Sequence, residues 1–172
     1  MTLAGRRAAP YIDGARKCRR FARSSPRVQP DTMLPPIATI IDNFEILDDG
    51  PDQLEYLMEL GRALPPFPDE LLTEQNRVHG CESQVWVDSN VDHSQSPPRL
   101  HLRGTSDSFI TKGLIALVMA LHDGKTPTEI ADVDVFQVFK QIGLGAHLTS
   151  KRSNGVRAMA ERIHRDAARL AA

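Results

Sequence analysis

Cys81 lies in the run Gln75-Asn76-Arg77-Val78-His79-Gly80-Cys81-Glu82-Ser83-Gln84-Val85-Trp86, directly after a glycine. The residues before it are polar and read as a loop. Those after it alternate and read as the start of a strand. A thiol at such a junction can be approached by another molecule and can move, as a nucleophile or a covalent carrier must. The competing reading is a small buried hydrophobe, because free cysteine is among the most buried residue types. His79 is close enough in sequence to lower the thiol pKa. At i and i+2 on an extended segment, though, the two side chains share a face without having to touch, so His79 reads more simply as a polar loop residue. His147 and Arg152 stand in a second loop that could close over the cysteine. Asp107 reads equally well as a first-turn acid favoured by a helix dipole.

Composition narrows the chemistry further. The chain has 172 residues, 41% hydrophobic and 25% charged, enough for one soluble domain with a real core. The nearly apolar stretch Gly113–Leu121 is shorter than the ~20 residues a membrane span needs. Cys18 and Cys81 form neither a disulfide framework nor a CxxC pair, and the six histidines show no ligand spacing. No metal or cofactor site is expected, and the chain reads as intracellular, in a reducing compartment.

The net charge of −1 hides an asymmetry. Residues 1–32 hold eight Lys/Arg against Asp13 and Asp31, a balance of +6, so the remainder carries −7. Residues 1–32 lack apolar periodicity, contain three prolines and read as a disordered extension, with Cys18 incidental to it. An organelle transit peptide, a phosphate-binding tail and translation starting at Met33 all fit this segment. Residues 33–172 read as the folded domain.

Within it, Ile37, Ile40, Ile41, Phe44 and Leu47 recur at helix spacing, and Leu54, Leu57, Met58, Leu60 and Leu64 give a second helix its buried face. Asp48 to Asp52 separate the two, and Pro65, Pro66 and Pro68 end the second. A short helix is predicted over 70–75. Two strands follow over 84–91 and 99–105, joined by a polar turn, the second alternating Leu100 and Leu102 with Arg99, His101 and Arg103. Ser106 or Ser108 caps a long helix to about His122 that has little polar face and is predicted to be central and buried, with Phe109, Phe136, Phe139 and Trp86 in the core. Thr126-Pro127-Thr128-Glu129 starts a short helix, and residues 135–142 form another. A loop is predicted through 147–153, before a last helix with Val156, Met159, Ile163, Ala167 and Leu170 on one face. The order indicates an α+β domain with a small antiparallel sheet covered by helices.

Several blocks in fixed order resemble the SufE family of sulfur acceptors associated with Fe–S metabolism. They are Tyr56 to Pro65; Asn76 to Trp86 around Cys81; Gly104-Thr105-Ser106-Asp107 leading into Ile110-Thr111-Lys112-Gly113-Leu114; Thr126-Pro127 with Ile130; and His147-Leu148-Thr149 with Arg152-Ser153-Asn154-Gly155. About 140 residues are covered, and the basic extension departs from the compact bacterial pattern.

The resemblance implies a carrier, not an enzyme. A pyridoxal-phosphate cysteine desulfurase of the SufS/CsdA type would hold a persulfide. This chain would take its outer sulfur onto Cys81, stimulate the desulfurase and deliver the sulfur to an Fe–S assembly scaffold. The pyridoxal phosphate belongs to that partner, and neither nucleic acid nor a membrane is implied. Asp107 and Arg152 match family positions near the cysteine loop and the desulfurase-facing surface, whereas His79 matches no position with a role. The family fold is shared with scaffolds of the IscU type, but one cysteine in the folded part suits carrying sulfur rather than holding a cluster. The compartment expected is the cytoplasm, or an organelle if residues 1–32 are a transit peptide. Two other readings stay open: an allosteric activator of the desulfurase that carries no sulfur, and an independent thiol enzyme.

Overall fold

The computed structural model describes residues 34–47 and 50–171, without the side chains of residues 146, 147, 170 and 171. The expectations for residues 1–32, Cys18 included, fall outside the described residues.

Helices α1 (Ile37–Ile46) and α2 (Gly50–Arg62) lead into the strands β1 (Val85–Asp92) and β2 (Arg99–Ser106). Helices α3 (Phe109–His122), α4 (Pro127–Ala131), α5 (Val135–Gln141) and α6 (Ser150–Ala171) follow. The strands pair antiparallel from Val85↔Ser106 to Asp92↔Arg99, which makes the fold the α+β arrangement expected. Alternation works as it should: Leu100, Leu102, Gly104 and Ser106 of β2 are buried while their neighbours are partly exposed.

α3 is the centre of the molecule, buried over Gly113–Met119 and packed against α2, β2 and α6. Its Ser108 N-cap accepts a hydrogen bond from the Thr111 N–H. Two glycines let α2 and α3 cross closely. A Cβ on Gly113 would lie 2.2 Å from the Leu57 carbonyl oxygen, and one on Gly61 would lie 2.6 Å from the Gly113 nitrogen. Thr126 and Glu129 form a reciprocal capping box that starts α4 after the chain leaves α3.

Four expectations are corrected. The helix predicted over 70–75 is a 3₁₀ turn at Asp69–Leu71 followed by turns, since three prolines precede it and its side chains are mostly exposed. Phe109 is not core: at the first position of α3 it projects past the packed region and is 60% exposed. Trp86 and Phe136 are only half-buried, while Phe139 is fully buried. The loop predicted through 147–153 stops early, because α6 begins at Ser150 and Lys151, Arg152 and Ser153 form its first turn.

Candidate functional site

The chain on either side of Cys81 is pinned as a pair. Val78 N–H donates to the Val85 carbonyl (2.9 Å), and Val87 N–H donates to the Asn76 carbonyl (2.8 Å). Residues 79–84 thus form a loop closed at its base by β1, with Cys81 at its tip. Gly80 holds φ +89°, a conformation that side chains disfavour. α6 supports the loop's incoming arm, since Arg162 Nη1 donates to the Gln75 carbonyl (2.8 Å). Arg162 also pairs with Asp166, which in turn accepts from Ser89 of β1.

From this tip the Cys81 side chain turns inward. It lines a pocket of about 100 Å³ with Ser108, Thr111, Arg152, Gly155 and Met159, between the first turns of α3 and α6. Gly155 forms the wall against the thiol: a Cβ there would lie 3.0 Å from Cys81 Sγ. Two contacts close the rim. Thr111 Oγ1 donates to Ser83 Oγ (3.2 Å), and Lys151 Nζ pairs with Glu82 Oε1 (3.1 Å). Burial pushes the Cys81 thiol above its ordinary pKa. In the tucked position that burial favours the neutral thiol over the thiolate.

Of the residues singled out in the sequence, Cys81 and Arg152 meet in this pocket. Asp107 is not among its lining residues and is not a first-turn acid, because it precedes the Ser108 cap. Its carboxylate accepts the Gln84 N–H (3.0 Å), while its own N–H donates to the Gln84 carbonyl (3.4 Å). Asp107 therefore fastens the outgoing arm of the cysteine loop to the end of β2. His79 points elsewhere, its Nε2 2.9 Å from Glu74 on the exposed surface. The His147 side chain lies outside what is described. No histidine among the described side chains lines the pocket. Sequence reasoning missed Gly155, Thr111, Ser83 and Met159 as parts of the site. Among the described residues, no group of three or more His, Cys, Asp or Glu side chains could hold a metal.

Comparison with known proteins decides the family. A family model described as SufE, Fe-S metabolism associated domain, matches residues 38–167. The chain belongs to the SufE family. An uncharacterized SufE-like protein of Rhizobium etli is 44% identical over 128 residues, which is 74% of this chain and 86% of that protein. One of Rhizobium meliloti is 42% identical over 128 residues, 74% of this chain and 91% of its own. The solution structure of a hypothetical protein from Thermus thermophilus superposes with a TM-score of 0.63 at 21% identity, covering 80% of this chain and 97% of that one. That likeness shows a shared fold. Membership in the SufE family associates the chain with Fe–S metabolism. No helix among the described residues is long and apolar enough to cross a membrane.

Proposed function

We propose that this SufE-family protein carries sulfur on Cys81 from a pyridoxal-phosphate cysteine desulfurase to an Fe–S assembly scaffold, and stimulates the desulfurase by removing its product. The observation that supports it most is the placement of the thiol. It sits at the tip of a loop with a glycine hinge, tucked against Gly155 in a pocket with about 100 Å³ to spare.

The step is a thiol exchange. The loop swings out and Cys81 Sγ, as thiolate, attacks the outer sulfur of the donor's persulfide. A new sulfur–sulfur bond forms at Cys81, the bond to the donor's inner sulfur breaks, and that sulfur leaves as a thiolate. The terminal proton stays on the transferred sulfur, so nothing is oxidised or reduced overall. A persulfide is a stronger acid than a thiol. Once the loop folds back, the Arg152 guanidinium lining the pocket favours the persulfide anion. The pocket walls then keep reductants from the outer sulfur. Asp107 acts on position alone, by anchoring the loop's outgoing arm at Gln84.

Desulfurase turnover tests this reading against a purely allosteric one. Wild-type protein is expected to raise the rate of alanine formation from cysteine, and Cys81→Ser to abolish the increase. Full stimulation by Cys81→Ser would overturn the carrier role.

A further inference from the structure

We propose that Phe109, flanked by Arg62 and Lys112, is the anchor through which this protein docks on its protein sulfur donor, whose matching surface is an apolar socket rimmed with carboxylates. This rests on the carrier reading and names the surface that serves it.

Phe109 is one of three large hydrophobic side chains exposed among the described residues, and its position is unlike the others. It occupies the first turn of α3, whose Ser108 and Thr111 line the Cys81 pocket. Its own ring, with Lys112, faces a separate concavity of about 130 Å³ formed with Arg62, Leu64 and Phe67. The sulfur site and the uncovered aromatic ring thus share the first turn of α3, and a partner that covers this turn meets both.

Charge identifies the partner. The Arg62 guanidinium and the Lys112 ammonium lie 6.0 Å and 5.9 Å from the Phe109 ring centre, which sets two cations beside the ring. Neither has a carboxylate within ion-pair distance among the described residues, and nor does Arg152 across the Cys81 pocket. Two acids at the cysteine loop are engaged, Glu82 with Lys151 and Asp107 with the Gln84 backbone. Residues 33–172 carry −7 overall, so unpaired cations gathered at this end stand out and call for carboxylates opposite. The same balance of −7 disfavours a phosphate polymer. The +6 of residues 1–32 disfavours the chain's own N-terminal segment as the occupant. An aromatic residue with flanking arginine is also the composition of an interface hot spot.

The test uses the full chain and a SufS-type desulfurase, with Phe109→Ser and the double variant Arg62→Gln/Lys112→Gln. Three readouts are compared: the concentration that half-saturates desulfurase stimulation, the sulfuration of Cys81 by inorganic polysulfide, and the melting temperature. Phe109→Ser is expected to raise the half-saturating concentration by about tenfold or more. The double variant should raise it less and flatten its dependence on salt. Polysulfide loading and melting should stay at wild-type values, since they need no docking. An unchanged half-saturating concentration in both variants would overturn the patch while leaving the carrier reading intact. So would loss of a wild-type dimer, or of oligonucleotide binding, on Phe109→Ser without a change in half-saturation. A wild-type protein that polysulfide sulfurates but the desulfurase neither binds nor loads would sink both proposals.

Discussion

Replacing Gly155 with alanine sets two effects of known direction against each other. Gly155 lies inside α6 with an ordinary helical backbone, so alanine should strengthen the helix by roughly 0.8–1 kcal/mol. The added methyl, however, falls 3.0 Å from Cys81 Sγ, 3.5 Å from its Cβ and 3.6 Å from its Cα. Contacts between heavy atoms are best near 3.5–4.0 Å, so the sulfur is the atom that must yield. Overpacking of this kind costs roughly 1–3 kcal/mol. The loop can escape that cost by lifting Cys81 out, because Gly80 hinges it and the exposed Glu82–Lys151 pair holds it only weakly. A bias of about 1.4 kcal/mol toward the lifted state multiplies its population about tenfold. The assay is the rate of Cys81 alkylation by iodoacetamide at fixed pH, with the melting temperature measured in parallel. The expected result is alkylation about tenfold faster in Gly155→Ala, with melting unchanged or slightly raised. The persulfide, once loaded, should also be lost faster to a reductant. Alkylation at or below the wild-type rate with normal melting would refute the idea that Gly155 is the wall that lets the thiol tuck.

Lys151→Gln should speed alkylation only a few-fold, since an exposed ion pair is worth about 0–1 kcal/mol, and the difference from wild type should vanish in molar salt. Gly113→Ala should be severely destabilising, by about 4 kcal/mol or more, because its Cβ would enter the Leu57 carbonyl oxygen; chemical denaturation measures it. His122 is buried, with its Nδ1 2.7 Å from the Val118 carbonyl oxygen and the His164 ring nearby, and burial holds its pKa down at about 4. Below pH 6.5 the unfolded chain therefore takes up a proton that the fold refuses. This group's contribution should be lost as pH falls from 6.5 toward 4, by at most about 3 kcal/mol. Urea denaturation across that range should show a smaller fall in His122→Phe than in wild type.

The loop position of Cys81 was legible because glycine and polar residues precede it and an alternating strand follows. The caps were legible for a similar reason: Ser108 and Thr126 with Glu129 are local signals that need no tertiary context. Phe109 was misplaced because α3 is apolar nearly all round. Periodicity then does not say that its first residue overhangs the core. The first turn of α6 was hidden by Ser150, Ser153, Asn154 and Gly155, which favour helices poorly, so the amphipathic pattern begins only at Val156. Gly155 illustrates the limit most clearly. In sequence it is a weak helix residue, and its purpose exists only where Cys81, 74 positions earlier, comes to rest against it.

The central claim is that sulfur rides on Cys81. The most direct test incubates the full chain with a cysteine desulfurase and free cysteine, then measures intact mass without reductant and maps the modified peptide. The account predicts a gain of one or more sulfur atoms on the peptide containing Cys81, removed by reductant and absent in Cys81→Ser. An unchanged mass, or added sulfur that maps to Cys18 and persists in Cys81→Ser, would contradict it.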